Sequence, residues 1–187
     1  MKKTKLSETM EKAIKTLDEQ EKRQDKVLML SREIIRDCAK AIKSIHSREM
    51  REYKQIASGL GKKIEEMKKI DKDFKHISSQ CYQEYVEIRA LEAVLEKKEI
   101  PSDEELGISL IPYLNGLADV TGELRRELQI ALHEGKKAEA KYFFDKMNEI
   151  YENLMLLKYS SSLMGGLRRK QDVARGQIEQ ARSELLR

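Results

Sequence analysis

The chain has 187 residues, 37% of them charged and only 5% aromatic, with 37 Lys and Arg against 33 Asp and Glu for a net charge of +4. This suits one domain over residues 1–187, built from helices with solvated faces, and the charge balance is too even to establish a nucleic-acid partner by itself. Cys38 and Cys81 form no C-x-x-C motif, which argues against a disulfide framework and for a reducing cytoplasm.

The opening "MKKTKLSETMEK" lacks the apolar segment of a signal peptide, and "VLML" is far too short to span a bilayer, so the chain reads as neither exported nor membrane-spanning. From Leu6, apolar residues recur at Met10, Ala13 and Leu17, then after a polar interval at Leu28, Ile35, Cys38, Ile42 and Ile45. Steps of three and four predict a long amphipathic helix, with Glu19 to Gln24 as the place where it would break. Ile56, Leu60, Ile64, Met67, Ile70, Phe74 and Ile77 predict a second helix, weakened at Gly59 and Gly61, that leads into a third over residues 78–98. Ser102 and Glu105 make a capping-box signature for a short helix after Pro101, and Pro112 suits the first turn of a helix ending near Gly135. Lys136 to about Ser161 is helical again, Gly165-Gly166 breaks it, and Gly166 to Arg187 forms a last amphipathic helix. No strand pattern or repeat competes, so the expectation is an all-α bundle of about six or seven helices.

Within "SSQCYQEYVEIRALEAVLEKK", Glu84 and Glu87 share a helix face with Ile88, Leu91 and Leu95, where leucine would be expected. A buried carboxylate without a partner is costly, so this pair calls for a cation, a donor or a water-filled cleft. In "NGLADVTGELRREL", Asp119 and Glu123 lie four residues apart on the side opposite Leu114, Leu117, Val120, Leu124 and Leu128. The small residues Gly116, Ala118 and Gly122 would let another helix approach and bring the two acidic pairs face to face. Four carboxylates suit a hard cation, Mg²⁺ or Mn²⁺, which can hold a phosphate oxygen and acidify a water for phosphodiester cleavage. The competing reading is a salt-bridge set with Arg89, Arg125 or Arg126 as partners.

Arg32, Arg36, Lys40 and Lys43 follow helical spacing along the polar side of the first helix and lead to Ser44 and His46. Such a stripe can track phosphates, or it can be a solvated face balanced by Glu33 and Asp37. His46, His76 and His133 show no zinc or triad spacing, and "GLGKK" at 59–63 lacks the strand of a phosphate-binding loop, so nucleotide hydrolysis is not supported. Tyr82 and Tyr85 flank the acidic helix and Phe143-Phe144 suit the core, which leaves no stacking platform for base readout.

Three segments carry a resemblance. "LDEQEKRQDKVLMLSREIIRDCAKAIKSIH" (17–46), "QEYVEIRALEAVL" (83–95) and above all "YLNGLADVTGELRR" (113–126) resemble the translin family, and its Trax branch more than translin itself. The resemblance spans nearly the whole chain. It implies a translin-type helical bundle that assembles into a closed oligomeric barrel, usually an octamer, with nucleic acid inside. It also implies that Glu84, Glu87, Asp119 and Glu123 bind Mg²⁺ (or Mn²⁺) and cleave RNA as a metal-dependent endoribonuclease. The chain departs from eukaryotic Trax in its short length and in the brief connection "KKEIPSDEELGISLIPY", which favours a compact prokaryotic, archaeal-like member forming homo-oligomers. The resemblance also implies a translin-like partner as the alternative to self-assembly. The alternatives are a non-catalytic protein that binds single-stranded RNA or DNA, and a helical scaffold whose charges only keep it in solution.

Overall fold

The structure, a computed structural model, describes residues 4–186; residues 1–3 and Arg187, which the sequence assigns to the last helix, lie outside the described residues. Eight helices and no strands are found among the described residues, in the order α1 Lys5–His46, α2 Met50–Ile70, α3 Lys75–Leu95, α4 Asp103–Leu106, α5 Leu110–His133, α6 Lys137–Met155, α7 Ser161–Met164 and α8 Leu167–Leu185. Two of the eight, α4 and α7, are four-residue turns. The expected capping box on α4 is present, with Ser102 Oγ accepting from the Glu105 amide and the Glu105 carboxylate accepting from the Ser102 amide. Its hydrogen bonds satisfy donors that a helix start leaves open.

Three boundaries differ from the sequence reading: α6 stops at Met155 instead of near Ser161, and two others have a clear physical reason. First, α1 runs unbroken through Glu19 to Gln24, because those polar residues are good helix formers with no Gly or Pro among them. Val27 is the first buried residue of α1, and Leu6, Met10, Ile14 and Leu17 stay exposed. Second, α2 ends at Ile70 and α3 begins at Lys75, although the apolar period continues through Phe74 and Ile77. Asp71 anchors this turn: buried, it accepts hydrogen bonds from Ser78 Oγ at 2.5 Å and Tyr82 OH at 2.9 Å. Such a satisfied buried carboxylate fixes a bend that no glycine or proline announces.

From Val27 onward α1 packs on α2 and α3, and α5 packs against α3 and also against α6 and α8. Ile34, Leu60, Ile64, Ile88, Leu91, Leu124, Leu128, Phe143 and Met147 are fully buried between these helices. One glycine sets how closely two of them meet. A Cβ on Gly116 of α5 would lie 2.6 Å from the Gln83 carbonyl oxygen and 2.7 Å from Val86 Cβ of α3. Only glycine allows that approach, and it places the acidic segments of α3 and α5 side by side. Gly122 plays no such part, since a Cβ there would meet nothing within 4 Å.

Candidate metal and nucleic-acid site

On α3, Glu87 is buried at 8% exposure and Glu84, nearly one turn earlier, is half-buried. Asp119 and Glu123, one turn apart on α5, are also half-buried. The four act on one another electrostatically. Burial, then the charge of Asp119, raises the Glu84 pKa above the ordinary carboxylate range. For Glu87, burial followed by the charges of Asp119, Glu84 and Glu123 pushes it up to about 9. The two pairs that the sequence placed on separate helices therefore share one acidic locus.

Their partners are not those weighed from the sequence. Arg89 pairs with Glu92 at 2.7 Å and Arg125 with Glu184 at 2.6 Å, while Arg126 lies exposed. Instead, Lys170 of α8 forms a close ion pair with Asp119, and Gln83 donates to the same carboxylate at 2.8 Å. His46, the last residue of α1, places Nε2 2.5 Å from Glu123 Oε2 and Nδ1 2.7 Å from Glu127 Oε1. Burial works to lower the His46 pKa, but its hydrogen bonds to Glu123 and Glu127 outweigh that and raise it. Glu127, fully buried, also accepts from Arg48 Nη1 at 2.7 Å. Sequence reasoning set His46 aside as a singleton and did not single out Lys170, Gln83, Arg48 or Glu127. The available signal was the run Asp119, Glu123, Glu127, three acids at steps of four along one face of α5.

A cavity of about 380 Å³ opens between α5 and α8, lined by Asp119, Gly122, Arg169, Lys170 and Gln177 among others. Asn115, one turn before Asp119, keeps its Oδ1 buried without a hydrogen-bond partner. No three His, Cys, Asp or Glu side chains among the described residues converge as a ready coordination group. The donor set nevertheless fits a hard cation. It offers oxygen, it holds mutually repelling carboxylates that a divalent charge would relieve, and Mg²⁺ keeps most of its waters while using one or two protein carboxylates.

The basic stripe is clear of its expected neighbours. Arg32, Arg36, Lys40 and Lys43 are all exposed. Glu33 and Asp37 turn to Lys63 of α2 at 3.0 and 2.9 Å, leaving only a 3.9 Å approach between Asp37 and Lys40. The stripe runs in steps of three and four to His46, and so leads along α1 to the helix end that touches Glu123. Cys38 and Cys81 are buried free thiols.

No protein-family model matches the chain. Its sequence is 37% identical over 166 residues to an uncharacterised protein of Methanocaldococcus jannaschii, covering 87% of this chain and 74% of that one. Among solved structures, AfC3PO is similar at a TM-score of 0.84 with 30% identity, and AfC3PO in complex with duplex RNA at 0.85 with 29% identity. The fold alone is shared with apo-NeC3PO, at a TM-score of 0.86 and 23% identity. Each match covers 95% of both chains. The fold and its similarity to these structures define an all-α bundle of the translin type. The chain belongs to the translin family, as a Trax-like member. No helix among the described residues is long and apolar enough to cross a membrane.

Proposed function

We propose that this protein is a Mg²⁺-dependent endoribonuclease of the Trax type, acting in the cytoplasm on RNA phosphodiester bonds inside a homo-oligomeric barrel. The observation that carries this reading is the shared acidic locus. Glu84 and Glu87 are drawn out of water opposite Asp119 and Glu123, an arrangement that costs stability unless a cation or a function compensates it. Similarity to a C3PO structure holding duplex RNA supports RNA as the substrate.

Glu84, Glu87, Asp119 and Glu123 would hold Mg²⁺ or Mn²⁺. When bound, such an ion stabilises charge on a phosphate oxygen and acidifies a water. The chain's own groups do the rest. Arg32, Arg36, Lys40 and Lys43 hold successive phosphates, and Lys170 places a further cation beside the locus. Glu87, whose carboxyl burial and the neighbouring acids push up to about 9, would have to give up its proton to serve as a ligand, so it would hold the ion more tightly as pH rises. Exposed Leu6, Met10, Ile14 and Leu17 form an apolar stripe along the unpacked half of α1, which supports assembly with further copies into a barrel such as an octamer.

The second reading is a translin-like protein that binds single-stranded RNA or DNA without cutting it, alone or with a translin-like partner. It is favoured by Lys170 and His46, which pair with Asp119 and Glu123 and can balance their charge from within the protein. The two readings separate in one experiment. With Mg²⁺ present, the parent should cut RNA, whereas Glu123→Ala should lose cleavage and retain assembly and RNA binding. Cleavage by Glu123→Ala at the parental rate would overturn the nuclease reading, and a parent that binds RNA but never cuts it would establish the second.

A further inference from the structure

Behind Glu123 lies a chain of polar groups that the four-acid site does not explain. Arg48 donates to Glu127 Oε2 at 2.7 Å, Glu127 Oε1 meets His46 Nδ1 at 2.7 Å, and His46 Nε2 meets Glu123 Oε2 at 2.5 Å. The His46 side chain is 4% exposed and that of Glu127 is fully buried. We infer that His46 is a positioning residue: held by Glu127 and Arg48, it fixes the Glu123 carboxylate by one oxygen and leaves the other free to face the cation. This rests on the metal site proposed above.

Three observations carry the inference beyond satisfied polarity in a core. A fully buried carboxylate is a costly way to fill space, and an apolar residue of similar volume at 127 would do so more cheaply. What Glu127 gains is a fixed imidazole, since His46 has a carboxylate on each ring nitrogen and cannot turn without breaking both contacts. Among the described residues, His46 is also the one hydrogen-bond donor to Glu123, so nothing else there defines that carboxylate's orientation.

The third observation is backbone strain. α1 ends in a Schellman motif, with the Arg48 amide bonded to the Ile45 carbonyl at 3.0 Å and the Glu49 amide to the Ser44 carbonyl at 2.8 Å. The left-handed position of that motif, where glycine is preferred, is held by Arg48 at φ +62. An arginine there gives up conformational ease, and its guanidinium reaches the buried Glu127.

The test uses the full oligomer and Mn²⁺ alone as the probe, titrated calorimetrically without RNA, alongside steady-state RNA cleavage with Mg²⁺. His46→Gln and Glu127→Gln should each weaken Mn²⁺ binding by roughly 10- to 100-fold, the range for groups that orient a metal ligand. They should lower kcat by a similar factor while KM for RNA stays within about threefold. Because His46 acts through Glu123, adding His46→Gln to a Glu123→Gln background should cost nothing further. Arg48→Gly relieves the left-handed position but takes a charged donor from the buried Glu127, so it should melt somewhat below the parental temperature, stay folded, and bind Mn²⁺ more weakly. Equal losses from His46→Gln in both backgrounds, or unchanged Mn²⁺ affinity in His46→Gln, would overturn the inference. Should the two buried-site variants fail to fold, parental Mn²⁺ affinity in Arg48→Gly would overturn it as well. A parent that binds Mn²⁺ and cuts RNA beside an unaffected His46→Gln defeats this inference alone, whereas a parent that does neither defeats the nuclease proposal and this with it.

Discussion

Lys170 sets its ammonium against the Asp119 carboxylate and lowers the cost of charge on Glu84 and Glu87 nearby. Both members of the pair are about three-quarters buried, so it is shielded from solvent more than a surface pair. Lys170→Met should therefore destabilise the metal-free protein by about 1–2 kcal/mol, which lies between exposed and buried pairs. Saturating Mg²⁺ should restore more stability to this variant than to the parent, because the cation takes over the neutralisation. Thermal melts with and without Mg²⁺ check this; equal Mg²⁺-induced shifts in both proteins would count against a cation at the locus.

Gly116 sets the separation of the two acidic helices. Alanine gains up to about 1 kcal/mol of helix propensity at an unhindered site. Here its Cβ would lie 2.6 Å from backbone oxygen, and backbone cannot yield as a side-chain tip can. Gly116→Ala should cost roughly 1–3 kcal/mol net, as overpacking does, and should lower Mg²⁺ affinity by moving Glu84 and Glu87 away from Asp119 and Glu123. Urea unfolding and metal titration measure the two effects; a stabilised variant would contradict the packing argument.

The pH dependence follows from Glu87. Its folded pKa, about 9, lies above its unfolded value, so between the two the folded state binds more protons than the unfolded state. Stability contributed by the neutral acid is fully present below the unfolded pKa and falls as pH rises towards 9, by at most about 1.4 kcal/mol per pH unit. In metal-free protein, Glu87→Gln should lose less stability over that window than the parent, the remaining loss coming from His46 and Glu84, whose pKa values are also raised. Parallel stability curves from pH 5 to 9 would show that Glu87 ionises as an ordinary surface acid.

Arg32 and Arg36 should bind phosphates, since Glu33 and Asp37 are held by Lys63. A double Arg32→Gln, Arg36→Gln variant should bind single-stranded RNA more weakly. Its log–log salt slope should shrink by about 0.7 for each phosphate that is no longer neutralised. Fluorescence anisotropy over a salt series measures that slope, and an unchanged slope would place the RNA elsewhere.

How far the sequence discloses this protein depends on whether a feature lies along one helix or between several. The period-of-four apolar positions marked α2, α5 and α8, and Ser102 with Glu105 marked α4, because those signals are local. The bend at Asp71 was hidden because it depends on Ser78 and Tyr82 further along the chain, while the apolar period runs on as if nothing breaks. Polar residues at Glu19 to Gln24 suggested a break, yet polarity there means only that no other helix covers that part of α1. Glu84 and Glu87 were visible as acids on an apolar face, and Gly116 as a means of close approach. Lys170, His46 and Arg48 reach the acids from α8 and the end of α1, and no spacing within one helix can announce a contact made between three.

The most direct test of the nuclease assignment is cleavage of single-stranded RNA by the purified oligomer, followed on a denaturing gel with Mg²⁺ and again after EDTA. Internal cuts are expected with Mg²⁺, none with EDTA, and none by Glu84→Gln, Glu87→Gln protein under either condition. Cutting that survives EDTA, or that proceeds at the parental rate in the doubly substituted protein, would contradict the assignment.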